Sequence, residues 1–437
     1  MRRTGSRVRL AVALVAAAAA VAACGNSGPQ AGNNNGDGTG QVQVWALQDT
    51  ALQPILKGSV DRFNSSGQGG KAKLQVFGND PYKQKLRVAV GSPNAPDVFF
   101  NWGGGNLKEY VDAGKVEDLT GMLDGNPQLK NSFLPAVLDA AKIDGKYYGL
   151  PMRGMQPVLM FYNKKLLSEA GVQQPKTWDD LLTAVDKLKA RGITPISLAG
   201  SQPWTELMWA EYLLDRRGGS QVFQDIRDGK GDGWKNPAVL QAMTDVKTLV
   251  DRGAFGSKFA SVGYDVGGAS TLLAQNRTAM HLMGSWEYVN QLGQSPKFVK
   301  AGNLGWGPFP SISGGKGDPS TVVGNPTNFY SVTSASKAKK TAESFVSTQL
   351  NSQPYVDALI KAGDVPPITG LESKLAQADN GDYTQYIYKL VSDAKVFQLS
   401  WDQDLPSDQA QKMLTELQKL FLGKQTPQGF VDTMSSS

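Results

Sequence analysis

Four stretches of the chain place an indole beside a carboxylate or an amide. They are Asn101-Trp102, Trp204-Thr205-Glu206, Trp286-Glu287 and Trp401-Asp402. An aromatic plane can stack on the apolar C–H face of a pyranose, and planar polar side chains can bind its hydroxyls. One tryptophan alone is explained more simply by core packing. Several of them, each beside a polar residue at the end of a predicted strand, favour a carbohydrate site.

Two further carboxylates, Asp49 and Asp80, also follow predicted strands. Asp49 has a second explanation, because it stands where it could cap the next helix. Asp402 has no evident capping role, although a carboxylate in a surface loop is an alternative. Asp49, Asp80 and Asp402 therefore join the candidate ligand-binding residues.

Several kinds of chemistry are excluded by what the chain lacks. Its only histidine, His281, falls in a predicted buried strand, and its only cysteine is Cys24, so neither a Ser-His-Asp triad nor an ordinary zinc site can be assembled. The glycines at 103–105 lack the spacing and the lysine of a phosphate-binding loop. No EF-hand loop is present, and we expect no cofactor. A glycosidase stays open, since two carboxylates suffice and Glu206, Glu287 and Asp402 are available.

The N-terminal residues have the pattern of an export signal. A basic head precedes an apolar run over residues 10–20, and Val21-Ala22-Ala23-Cys24 resembles a bacterial lipobox. We therefore expect a signal peptide over 1–23 and lipidation of Cys24 outside the cytoplasm. An ordinary signal peptide with an incidental Cys24 is the alternative. Residues 24–40 are small and polar and predict a flexible tether behind the anchor.

The charge balance argues against a nucleic-acid partner. The whole chain carries a formal charge of +6, but four of its arginines lie in the predicted signal peptide. Their removal leaves 41 basic residues against 39 acidic ones. Such a chain offers no strongly basic face for nucleic acid.

Apolar runs alternate with amphipathic helical patterns along the remaining sequence. Strands are predicted at 42–45, 73–77, 97–100, 158–162, 196–199, 279–283, 305–309 and 329–333. Helical spacing recurs between them, and Thr177-Trp178-Asp179-Asp180 is a capping box. This order predicts an α/β fold with sheets rich in parallel strands, arranged as two units in series with a cleft between them.

Several motifs together resemble the solute-binding lipoproteins of bacterial ABC importers, in particular the carbohydrate binders that are similar to maltose-binding protein. The matching stretches are 144–151, 161–164, 175–178 and 283–286. The resemblance implies a two-lobe, type II periplasmic-binding-protein-like fold with a hinge and an interlobe ligand cleft. It implies one lobe at 41–151 plus 305–360 and the other at 152–304 plus 361–437.

The same resemblance implies the site and the partners. The positions that match its ligand residues are Asp49, Asp80, Asn101, Trp102, Arg153, Trp204, Trp286, Trp401 and Asp402. The expected protein is a monomeric binding subunit, not an enzyme, that delivers an oligosaccharide such as xylobiose to ABC permease subunits. A secreted glycoside hydrolase or lyase, or a surface protein that binds polysaccharide, is the alternative function.

Overall fold

The computed structural model describes residues 38–436. The predicted signal peptide and Cys24, with most of the tether, lie outside the described residues. Within 38–436, no helix has both the length and the apolar character needed to cross a bilayer.

The strands lie in three sheets. They are β1 (Gln41–Leu47), β2 (Lys71–Phe77), β3 (Val98–Asn101), β4 (Lys142–Ile143), β5 (Lys146–Tyr147), β6 (Leu150–Pro151), β7 (Gln156–Asn163), β8 (Thr194–Ser197), β9 (Thr278–Gly284), β10 (Leu304–Gly307), β11 (Val322–Asn325), β12 (Phe329–Val332) and β13 (Phe397–Leu399).

The helices connect and cover these strands. They are α1 (Gln53–Ser65), α2 (Asn79–Ala89), α3 (Gly104–Asp112), α4 (Thr120–Asp124), α5 (Pro127–Ser132), α6 (Pro135–Leu138), α7 (Lys164–Glu169), α8 (Trp178–Ala190), α9 (Pro203–Gly218), α10 (Ser220–Arg227), α11 (Pro237–Asp251), α12 (Gly268–Ala274), α13 (Trp286–Gln294), α14 (Pro296–Lys300), α15 (Lys339–Gln349), α16 (Gln353–Ala362), α17 (Glu372–Ala376), α18 (Gly381–Ser392), α19 (Trp401–Asp404), α20 (Ser407–Phe421) and α21 (Pro427–Ser435).

The first lobe is built on a five-stranded sheet of order β2-β1-β3-β12-β6. β1 pairs in parallel with both β2 and β3, and β12 runs antiparallel to β3. Its core contains Val44, Phe99 and Tyr330, all nearly inaccessible to solvent. Parallel strands joined through helices bring the ends of β1, β2 and β3 to one edge, where Asp49, Asp80 and Trp102 follow them.

The second lobe is built on a six-stranded sheet of order β13-β11-β7-β9-β8, with β10 also paired to β7. β7 is buried along its whole length, which explains why its sequence is apolar without alternation. α8 begins with the predicted capping box, in which Thr177 and Asp180 each accept a hydrogen bond from the other's backbone N–H. α9 is buried on nearly every face, and its Trp209 belongs to the core of this lobe.

The chain crosses between the lobes three times, at 151–156, at 325–329 and after α16. The lobe boundary expected at 305 is therefore corrected. β10 and β11 both hydrogen-bond to β7 of the second sheet, so the second crossing lies between Asn325 and Phe329. Strand pairing is a long-range choice that apolar runs near Gly305 do not reveal.

Candidate functional site

A cleft of about 370 Å³ lies between the two lobes. Both lobes contribute to its lining, which includes residues from the segments that follow β1, β3 and β9. Its aromatic and polar lining consists of Gln48, Asp49, Asn79, Lys83, Trp102, Arg153, Gln156, Trp204, Tyr264, Asp265, Trp286, Asn290, Gln294, Asn325, Asn328, Ser400, Asp402 and Gln403.

The second lobe contributes an aromatic wall of three side chains. Trp204 lies in the first turn of α9, and Trp286 is the first residue of α13, two residues after the last residue of β9. Their ring centroids are 6.4 Å apart, and the Trp204 ring meets Tyr264 edge to face at 5.5 Å. Both indoles are partly exposed, so their surfaces are available to a ligand in the cleft.

The first lobe places Trp102 in the lining of the same cleft. Its ring packs edge to face against Phe100 at 4.9 Å and Tyr82 at 6.0 Å, which fixes its orientation. The Lys83 ammonium lies 5.0 Å from the centre of the Trp102 ring. Each lobe therefore presents aromatic surface with polar groups beside it.

An ion pair joins the lobes within the cleft. Lys83 Nζ, on α2 of the first lobe, donates to Asp402 Oδ2 on α19 at 2.9 Å. Asp402 also accepts hydrogen bonds from Ser400 Oγ and from Gln403 Nε2. The buried carboxylate is thus fully engaged by neighbours from both lobes.

Arg153 lies at the first crossing and holds two carboxylates. Its Nη1 donates to Asp49 Oδ2 at 3.1 Å, and its Nε donates to Asp364 Oδ2 at 3.2 Å. Burial by itself would lower the pKa of the guanidinium, but the two carboxylates outweigh that effect and raise it. Asp49 also accepts backbone N–H groups of Ala51 and Leu52, so its capping role and its place in the cleft coexist.

A hydrogen-bond network lies behind the aromatic wall. Tyr264 donates to Glu287 Oε2 at 3.0 Å, and Ser270 Oγ donates to the same oxygen at 2.7 Å. Asn290 Nδ2, from the cleft, donates to the Tyr264 hydroxyl oxygen at 2.7 Å. Burial and the nearby Glu287 carboxylate raise the pKa of Tyr264 well above its ordinary value. His281 contacts the Ser197 carbonyl at 2.9 Å, which makes it a core histidine.

Six of the nine predicted ligand residues line the cleft: Asp49, Trp102, Arg153, Trp204, Trp286 and Asp402. Asp80, Asn101 and Trp401 are not among its lining residues, and each has another partner. Asp80 accepts from Asn79 Nδ2, and Asn101 bonds Ser331 Oγ and the Gly103 N–H. Trp401 is buried and stacks on Phe223 at 4.7 Å with an interplanar angle of 7°.

Of the three carboxylates considered for hydrolysis, only Asp402 lines the cleft. Glu206 and Glu287 have no solvent-exposed surface. Within the described residues, no group of three or more histidine, cysteine, aspartate or glutamate side chains is arranged to hold a metal ion.

Sequence reasoning missed Tyr264, Asp265, Asn290, Asn325 and Asn328. Asn325 and Asn328 lie on either side of the second crossing. The sequence Gly324-Asn325-Pro326-Thr327-Asn328 is typical of a loop, so it could have indicated a crossing segment with polar residues. Tyr264 and Asp265 lie in a loop that does not follow a strand. A search for polar and aromatic residues at the ends of predicted strands therefore could not find them.

Two open α/β sheets that face each other across a cleft, joined by three crossings, define the type II periplasmic-binding-protein fold. The sequence model of the bacterial extracellular solute-binding protein family matches residues 47–355, and the chain belongs to that family.

Individual relatives agree with this membership. The multiple sugar-binding protein of Streptococcus mutans is 27% identical over 280 residues, covering 62% of this chain and 63% of that protein. A probable sugar-binding periplasmic protein of Rhizobium meliloti is 27% identical over 225 residues, 51% of this chain and 50% of the relative. The matched region thus spans between half and two thirds of the length of these relatives.

Solved structures match over a greater length. One, from a study of xylan utilization by the thermophilic bacterium Caldanaerobius polysaccharolyticus, has a TM-score of 0.82 and 27% identity, covering 91% of this chain and 99% of that one. A chitin oligosaccharide binding protein has a TM-score of 0.81 and 27% identity, covering 91% and 98%.

Proposed function

We propose that this protein is the sugar-binding subunit of an ABC importer, a monomer that captures an oligosaccharide between its lobes and delivers it to the permease without turnover. The observation that carries this is the placement of indoles on both sides of the cleft, with Trp102 from one lobe and Trp204 and Trp286 from the other. Aromatic surface on two walls suits a ligand with more than one pyranose ring.

The charges of the cleft favour a neutral ligand. Arg153 and Lys83 are both paired with carboxylates of the protein itself. A neutral sugar leaves those pairs intact and bonds through hydroxyls to the amides of Gln48, Asn79, Gln156 and Asn325, which line the cleft. Among neutral oligosaccharides we propose a xylo-oligosaccharide such as xylobiose, supported by the likeness to the protein from the xylan study.

A calorimetric screen against xylo-, cello-, malto- and chito-oligosaccharides tests both the proposed binding function and the proposed identity of the sugar. We expect binding to xylobiose or xylotriose, and no new product when the same mixtures are separated by chromatography. Tight binding of a chito-oligosaccharide instead would replace the sugar proposed here and keep the transport role. Cleavage of any sugar by the purified protein would overturn the importer function.

The two indoles of the second lobe supply the sharper test. Trp204→Ala and Trp286→Ala should each weaken sugar binding by about tenfold or more, because stacking and apolar burial are lost together. Trp306→Ala is the matched control, since that indole is also partly exposed in the second lobe but packs on Tyr288 and Tyr383 outside the cleft lining. Affinities within twofold of the parent for both cleft variants would show that the site is elsewhere.

We further propose that lipid on Cys24 holds the protein at the outer face of the cell membrane. Cys24→Ser should shift the protein from the detergent phase to the aqueous phase in a phase-partition experiment on cells that express it. Its affinity for sugar should equal that of the parent, because the cleft is lined by residues between 46 and 403. A Cys24→Ser protein that stays in the detergent phase would overturn the lipid anchor and leave the binding function untouched.

A further inference from the structure

Trp286 folds back over the end of the strand that precedes it. β9 ends at Gly284, and the indole lies against that residue. A Cβ atom placed on Gly284 would lie 1.9 Å from Cζ3, 2.2 Å from Cη2 and 2.3 Å from Cε3 of Trp286. Ordinary contacts between carbon atoms are about 3.5–4.0 Å, so even a methyl group and the observed ring position exclude each other.

Backbone conformation gives no reason for glycine at this position. Gly284 is a strand residue paired with Val158 and does not adopt a positive φ. Gly324, which lines the cleft, differs because it has φ +131° and a Cβ there would meet the backbone oxygen of Gln156. At Gly284 the atoms that exclude a side chain are those of the Trp286 ring.

Ser285, the residue between Gly284 and Trp286, is held in place by three hydrogen bonds. The Ser285 N–H donates to the Pro157 carbonyl at 2.9 Å, and its hydroxyl donates to the Met155 carbonyl at 2.9 Å. The Tyr383 hydroxyl donates to the Ser285 carbonyl at 2.6 Å. With Ser285 held on three sides, a side chain on Gly284 would have to move the indole, and the indole borders the cleft.

We infer that Gly284 is a positioning residue for the sugar site: its lack of a side chain seats Trp286 against the strand end and so sets the place and tilt of the stacking surface. This inference rests on the proposed function, since it assigns Gly284 a part in the same sugar site. The Trp286 ring that Gly284 seats lies 6.4 Å from the Trp204 ring between centroids, and Gly284 itself is not among the residues that line the cleft.

Calorimetry on a double-mutant cycle tests this role. Gly284→Ala should weaken sugar binding by about tenfold, as Trp286→Ala does, because the platform is displaced. In a Trp286→Ala background the added Gly284→Ala should change affinity by less than about twofold, since the ring it displaces is gone. Multiplying effects would show that Gly284 does not act through Trp286 and would overturn the inference. Gly293→Ala, in the same helix with open space around it, should bind as the parent does.

A second readout keeps the seating of Trp286 separate from sugar binding. Near-ultraviolet circular dichroism of the ligand-free protein should change in Gly284→Ala and not in Gly293→Ala, because the first moves an indole relative to its neighbour. An unchanged spectrum would overturn the proposed seating of Trp286 even if sugar binds.

If no sugar binds the parent, the proposed function fails, while the spectra still decide whether Gly284 seats Trp286. Should Gly284→Ala alone not fold, the double variant with Trp286→Ala should fold, and its failure would contradict the inference.

Discussion

At the scale of single residues, the second lobe holds acidic groups whose burial raises their pKa. Glu206, on α9, has no exposed surface, and neither of its carboxylate oxygens has a hydrogen-bond partner within the described residues. Burial raises its pKa from 4.5 to about 8. Glu211, one and a half turns further on, has a pKa raised to about 8 by burial although it accepts hydrogen bonds from Ser400 and the Trp401 N–H. Glu206 is the simpler case, since burial alone acts on it.

This predicts a pH-dependent stability that Glu206→Gln should flatten. The unfolded carboxyl loses its proton near 4.5 and the folded one near 8. Between those values the folded state holds more protons, so the free energy of unfolding falls as pH rises through this window and levels off above it. Urea unfolding should find Glu206→Gln more stable than the parent at pH 8 by about 2–4 kcal/mol and nearly equal at pH 4.5.

Glu169→Gln is the control for this experiment, because that side chain is exposed on α7. Its profile should run parallel to that of the parent. Parallel profiles for Glu206→Gln as well would contradict a proton held at Glu206.

At the scale of elements, the start of α3 meets the segment after β13 so closely that backbones touch. A Cβ on Gly105 would lie 2.5 Å from the Asp404 carbonyl oxygen and 3.0 Å from its carbon. Beside it, Asn106 Nδ2 donates to the Asp402 carbonyl at 3.0 Å, and the Ser407 N–H donates to Glu109 Oε1 at 2.7 Å. This contact joins the two lobes next to the cleft, so it bears directly on how far they can close.

Gly105→Ala should therefore act as a wedge between the lobes. The backbone at Gly105 is helical without a positive φ, so alanine costs nothing within α3 and improves its helix propensity. We expect a larger radius of gyration by small-angle scattering and sugar binding weakened by about tenfold, because the added methyl group opposes the arrangement in which the lobes touch at this contact. Thermal unfolding should stay close to the parent.

Gly121→Ala is the matched control, since it lies in helix α4 of the same lobe with nothing near its Cβ position. Parent-like scattering and affinity in Gly105→Ala would show that this contact yields without moving the lobes.

At the scale of the whole molecule, local patterns predicted eight of the strands, missed β4, β5, β6, β11 and β13, and could not assign strands to sheets, because long-range pairing decides that. The alternation after Gln41 and again after Pro151 predicted β1 to β3 and β7 to β9, because strand and helix periods are local properties. β10 lies in the second sheet only through its pairing with β7, which no local pattern encodes. The prediction of the site has the same limit: it found residues that follow predicted strands and missed residues that tertiary contacts bring to the cleft.

The tryptophan–carboxylate pairs show that sequence position alone does not predict which side chain of a pair faces the cleft. Trp401 and Asp402 are neighbours in sequence, but successive residues of α19 point about 100° apart. Asp402 thus faces the cleft while Trp401 stacks on Phe223 in the core. Trp204 and Trp286 each lie in the first turn of a helix at the cleft edge, where a position after a predicted strand was enough to identify them.

The place of β12 in the first sheet has a consequence for the order of synthesis. β12 lies between β3 and β6, so the sheet begun by the earliest strands is incomplete until residues 329–332 have followed. The whole first part of the second lobe is made in between. A nascent chain that has emerged only as far as Pro151 has no partner for β6 and leaves the β3 side of the sheet open. Completion of the first sheet therefore waits for residues 329–332, and pairings between segments this far apart in sequence are of the kind that slow folding.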